Sequence, residues 1–239
     1  METNRLIIDW THCITYNTIM ALFVGVSLIS VARMGSGLTS KIKLNPQGWA
    51  LNFAVLGVVL TLTGLHMTLT WPLASYFPFD NIIFGEPALA FGVLNLAIAF
   101  YFWKNKQQII DSSRPLQMVA AHFNSFNILF YALGLMLIAI FFAGVDFQFF
   151  AAPKEEPISG NFAAYPWLEA WGLSLVFLGV GISSFLSARF TARANNEIFK
   201  ADLGDRLCFL SLNITGWFFL LFGALNYYTH IGLVVHTMK

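Results

Sequence analysis

Few residues in this chain ionise near neutral pH, and their positions indicate which chemistry is open to it. Within or at the mouths of long apolar segments stand His12, His66, Glu86, His122, Glu169 and His230, with His236 slightly further out. Polar side chains at membrane depth are costly, so each needs a partner or a purpose. Neutral imidazole is the commonest metal ligand and a usual axial ligand of haem iron. Two imidazoles from different helices at one depth would clamp a b-type haem. A carboxylate beside them would hold a tautomer or exchange a proton with a quinol. On this reading His66 and His230 are the axial, metal-binding pair and His12 is the alternative second ligand, while Glu86 and Trp71 complete the cofactor site, either supporting the ligands or facing a quinone. The plainer reading makes His12, His230 and His236 hydrated residues at the interface. It lets Glu86, followed by Pro87, face the free N–H groups of a helix start. It makes His122 the opening of a polar patch with Asn124, Ser125 and Asn127 that ties helices together.

The elements that must position these groups follow from composition. Of the 239 residues, 57% are hydrophobic and 10% charged, against roughly 25% charged in soluble domains. Apolar surface on that scale needs lipid to cover it. A helix crossing the hydrocarbon needs about 20 mainly apolar residues. Six such segments occur: Thr15–Ala32, Trp49–Trp71, Ile82–Trp103, Leu116–Val145, Trp167–Phe190 and Leu207–Leu233. The expected fold is all-α, a polytopic membrane bundle of about six transmembrane helices, with residues 1–239 forming one bundle and no soluble domain. The fourth segment exceeds what the bilayer requires and must tilt or run past the interface at Phe147–Phe150. Leu6, Ile7, Trp10 and Ile14 fall on a helical spacing and suggest an amphipathic start before the first span. The charge-mixed stretch from Thr191 to Asp205 suggests a short interfacial helix. The N-terminus lacks a basic n-region and an A-x-A site, so the first span is expected to be retained.

Orientation follows from lysine and arginine. The first join carries Arg33, Lys41 and Lys43, the third Lys104, Lys106 and Arg114, and the fifth Arg189, Arg193, Lys200 and Arg206. Only Arg5, Lys154 and Lys239 fall elsewhere. This alternation places the basic joins in the cytoplasm and both termini on the outer side. His12, His66, Glu86, Glu169 and His230 then gather at the outer mouth, and His122 lies toward the cytoplasm. With a net charge of +1 and no basic stripe, nucleic acid is excluded as a partner. Cys13 and Cys208 fall on opposite sides, which makes them packing residues rather than a disulfide. The motifs of thiol, zinc-protease, serine-hydrolase and phosphate-loop chemistry are absent.

The run Gly64-Leu65-His66-Met67-Thr68-Leu69-Thr70-Trp71-Pro72-Leu73, with Asn81-Ile82-Ile83-Phe84-Gly85-Glu86 after it, resembles a family of small multi-spanning bacterial and archaeal membrane proteins designated domain of unknown function 981. Ile8-Asp9-Trp10 and Tyr228-Thr229-His230 are weaker parts of the same likeness, and the fourth join here is longer than in that pattern. The resemblance supplies no activity; it draws His66, Trp71 and Glu86 together as a unit and adds weight to His230. Three functions are therefore weighed. The first is a haem b-binding, cytochrome-like protein or electron-transfer subunit of an oxidoreductase near the outer face. The second is a structural or assembly subunit of a respiratory or photosynthetic complex, held in the lipid bilayer by its helices alone. The third is a small metal or proton transporter with His66 and Glu86 on its pathway. A visible absorption spectrum separates the first from the others.

Overall fold

Away from water, apolar runs of this length satisfy their backbone groups as helices. The computed structural model, which describes residues 6–40, 44–196 and 198–238, contains helices and loops and no strand among those residues. Among the described residues, six segments are long and apolar enough to cross a bilayer, and the chain is an integral membrane protein. They are α1 (Asn17–Thr39), α2 (Pro46–Thr70), α3 (Glu86–Lys104, led by a π-turn at Asn81–Gly85), the joined α5 (Pro115–Phe123) and α6 (Asn127–Asp146), α7 (Pro166–Ala194) and α8 (Leu203–Thr237). A short α4 (Lys106–Asp111) lies between α3 and α5. Arg5, Lys41, Lys43 and Lys239 of the charge pattern lie outside the described residues.

The helices pack as three close pairs, α1 with α8, α2 with α3 and α6 with α7, and α7 also lies against α8. Lipid supplies no hydrophobic force between helices, so close backbone contact and polar ties must do this work. Gly25 of α1 meets the backbone of Gly216 and Leu220 on α8. Gly64 of α2 meets the backbone of Leu89 and Gly85, and Gly92 of α3 meets Thr61. A side chain at any of these positions would collide with main chain. Buried hydroxyls and amides add the ties. Ser27 donates to Asn95 Oδ1 at 2.6 Å, joining α1 to α3, and Asn52 donates to Ser30 Oγ at 3.0 Å, joining α2 to α1.

Several expectations change at the ends of helices. The fourth span is interrupted by a 3₁₀ turn at Asn124–Phe126, where short polar side chains compete for backbone groups. Asn127 donates to Asn124 Oδ1 at 2.7 Å and accepts from the Thr191 hydroxyl of α7 at 2.6 Å, so this patch does tie helices. The span then ends at Asp146, and Phe149 and Phe150 turn back toward the bundle. Among the described residues, no separate helix forms between the end of α7 and the start of α8. Instead α7 runs to Ala194, and Asp202 caps α8 by accepting from Asp205 N–H at 3.0 Å while Asp205 accepts from Asp202 N–H at 2.9 Å.

Leu6, Ile7, Trp10 and Ile14 do not lie on a helix either, because residues 6–16 find their hydrogen bonds elsewhere. Ile8 N–H donates to the Thr237 carbonyl at 3.0 Å, Asp9 N–H to Tyr76 Oη at 2.9 Å, and Trp10 Nε1–H to Thr237 Oγ1 at 3.0 Å. The segment is thus a strap from the end of α8 to the α2–α3 joint. It places both ends of the described chain on one face, called the terminal face below. Arg33, Lys104, Arg114, Arg189 and Arg193 sit at the opposite ends of the spans, on the basic face.

Candidate functional site: an acidic vestibule above an apolar tunnel

Beneath the strap, at the terminal face, the helix ends diverge around a chamber of about 340 Å³. Separate elements contribute to its polar lining: Asp80 from the start of the π-turn, Glu156 and Ser159 from the segment between α6 and α7, Glu169 from α7, Asn226 and His230 from α8, and Thr15 and Asn17 from the strap and the start of α1. Trp10 and Cys13 of the strap form part of its wall, and aromatic rings form much of the rest. Phe79 and Phe149 stack there with centroids 4.5 Å apart. No lysine or arginine is among the described lining residues.

Each acid is held differently. Glu169 Oε2 accepts the Ala152 N–H at 2.7 Å, which pins the loop to the first turn of α7. Glu156 Oε1 lies 3.9 Å from His230 Nε2. Burial raises the Glu156 carboxyl above the usual range, the Thr229 hydroxyl partly opposes this, and the nearby Glu169 adds to the rise. Asp80 has no hydrogen-bond or ion-pair partner for its carboxylate among the described residues. Burial alone pushes it from 3.8 up to about 7. The Cys13 thiol is pushed up as well, by burial and then by Asp80.

Below the vestibule, an apolar cavity of about 230 Å³ follows the bundle axis toward the basic face, where Leu116 and Thr191 line it. The two spaces share walls: Asn17, Phe84, Phe150, Leu173, Phe222 and Asn226 border both. The boundary is aromatic. Phe150 stacks on Phe177 at 5.4 Å, and Phe84 lies 6.2 Å from Phe150. Phe177 in turn meets Phe219 edge-on at 5.9 Å. Cys208 is buried along the tunnel and Cys13 at the vestibule, so the two thiols are free and lie toward opposite ends.

Of the ionisable residues singled out from sequence, Glu169 and His230 open onto the vestibule. His66 is exposed on α2 and lines neither chamber. Its Nδ1 shares a hydrogen bond of 2.6 Å with the Tyr16 hydroxyl, and the two rings meet edge to face. Trp71 is an exposed, left-handed residue ending α2 (φ 48°), and Glu86 is exposed at the first turn of α3. His12, with 79% of its side chain exposed, pairs with Asp9 at 3.0 Å on the strap. The vestibule and the tunnel therefore do not bring His66 and His230 together. Among the described residues, no group of three or more His, Cys, Asp or Glu is placed to hold a metal ion. Asp80, Glu156 and Asn226 were not among the sequence candidates. Nothing in a one-dimensional pattern separates Asp80 from other acids in joins; the only hint is its setting in Phe77-Pro78-Phe79-Asp80-Asn81, too apolar for an ordinary turn.

The chain belongs to the protein family of unknown function DUF981, whose family model matches residues 11–232. Comparison with curated proteins and with solved structures gives no match.

Proposed function

We propose that this membrane protein binds a single long-chain amphiphile, its tail in the axial tunnel and its head in the vestibule. The observation that carries the reading is the shared wall: an apolar interior space adjoins a chamber of carboxylates, amides and an imidazole, with six residues bordering both. Protein interiors seldom leave voids larger than a water molecule. At about 24 cal/mol per Å³, a 230 Å³ cavity left empty would cost on the order of 5 kcal/mol. Water is a poor filler, because apolar cavities stay dry and take apolar guests. A tail removes that cost, while a head that hydrogen-bonds occupies the polar mouth. Quinones, with long tails and oxygen-bearing heads, fall within this class. The quinone head expected beside Glu86 and Trp71 would on this reading lie at Asp80, Glu156 and His230 instead.

The test is to fill the tunnel. Val24 and Val180 line it, whereas Val55 faces outward on α2. Val24→Phe and Val180→Phe are expected to lower retention of co-purifying amphiphile, read by native mass spectrometry in mild detergent, by about tenfold or more, equivalent to about 1.4 kcal/mol. Val55→Phe is expected to retain it at the wild-type level. Wild-type protein that carries no amphiphile and takes up none on titration overturns the reading.

A further inference from the structure

We infer that the vestibule is built for a positively charged head, an aliphatic ammonium, with Asp80 as its counter-ion. The inference rests on the amphiphile reading of the tunnel and names the chemistry of the head. Asp80 is half-buried, lines the vestibule, and has no hydrogen-bond or ion-pair partner among the described residues. A carboxylate so placed is expensive unless something neutralises it. The other two acids are differently engaged: Glu169 holds the Ala152 N–H, and Glu156 faces His230. Asp80 thus remains as the acceptor aimed into the chamber.

The rest of the wall points the same way. No described lysine or arginine lines the vestibule to satisfy the acids from within; Lys154, in the adjoining loop, is exposed and outside the lining. Trp10, Phe77, Phe79, Phe149 and Phe218 supply ring faces and edges around the carboxylates. Cations are attracted to aromatic faces, most strongly where water is excluded. A bare metal ion finds no group of three or more ligands among the described residues. An ammonium needs no such shell. It carries its own N–H donors or methyl groups, pairs with one carboxylate and rests against rings. The apolar chain below it then follows the shared wall at Phe84, Phe150 and Phe222 into the tunnel.

The experiment compares three ligands of one chain length, a primary alkylamine, the alcohol and the carboxylate, titrated calorimetrically into purified full-length protein in lipid nanodiscs at neutral pH. The amine is expected to bind at least about tenfold more tightly than the alcohol, and the carboxylate most weakly. Asp80→Asn is expected to erase the preference for the amine while still binding the alcohol, and Asp80→Glu to restore much of it. Equal binding of amine and alcohol by wild type overturns the inference but leaves the amphiphile reading standing, as does a preference that survives in Asp80→Asn. Failure of all three ligands to bind overturns the amphiphile reading itself. If Asp80→Asn fails to fold, the wild-type comparison and Asp80→Glu still decide.

Discussion

Asp80 sits where its charge is expensive, and that cost has a measurable sign. Burial raises its carboxyl from 3.8 to about 7, so the folded protein holds this proton more tightly than the unfolded chain does. Such a group contributes its full stability while protonated in both states, below about pH 4. The contribution is lost as pH rises toward 7 and is constant above it. The difference corresponds to on the order of 4 kcal/mol, of which roughly 2–3 kcal/mol falls between pH 5 and 8. Denaturant melts of wild type and Asp80→Asn across that range are expected to diverge by this amount, with the variant relatively more stable at the alkaline end. A bound ammonium is expected to flatten the wild-type slope, because it meets the charge that the proton otherwise removes. Parallel melts would show that Asp80 ionises freely and that its enclosure is incomplete. At this scale the sequence is a partial guide. His230 is recognisable because a histidine in an apolar run is conspicuous wherever it points. Asp80 and Glu156 are not, because their enclosure depends on Phe149 folding back and on a strap more than sixty residues earlier in the chain.

The helices themselves were largely legible, since a run of about 20 apolar residues leaves the backbone no alternative in lipid. Their irregularities were not. The turn at Asn124–Phe126 and the non-helical strap depend on hydrogen bonds to distant elements, Asn127 with Thr191 and Ile8 with Thr237, and the π-turn at Asn81–Gly85 follows a joint in which Asn81 Oδ1 accepts the Leu73 N–H. Glycine shows the same division, because identical residues have opposite roles. Gly25 lies against the α8 backbone at Gly216 and Leu220, whereas a methyl group on Gly172 of α7 would meet nothing within 4 Å. Gly25→Ala is expected to destabilise the α1–α8 pair by about 1–3 kcal/mol, the cost of overpacking where main chain cannot yield. Gly172→Ala is expected to be neutral or to stabilise by up to about 1 kcal/mol, since alanine is the better helix former. Thermal melts of the two variants in one detergent check both signs. Equal effects would mean that the close α1–α8 approach is not maintained in the membrane.

At the scale of the whole molecule, charge divides along the bundle axis. The vestibule acids Asp80, Glu156 and Glu169 lie at the terminal face, and Arg189 and Arg193 lie at the other. There the arginines pair with Asp202 and Asp205 at the α7–α8 joint, Arg189 Nη1 reaching Asp205 Oδ1 at 3.0 Å. Basic joins stay on the cytoplasmic side during insertion, so we propose that the vestibule opens outward and the tunnel runs toward the cytoplasm. The direction matters for function, because an outward mouth draws its ligand from the outer leaflet or the medium and an inward one from the cell. Both native thiols are buried, which leaves the background clear for introduced cysteines. Ser159→Cys, in the loop over the vestibule, is expected to react with a membrane-impermeant maleimide in intact cells. Asn196→Cys, exposed beyond the end of α7 on the basic face, is expected to react only after the membrane is opened. The reverse pattern would turn the bundle over, and the vestibule with Asp80 would then take its ligand from the cytoplasm.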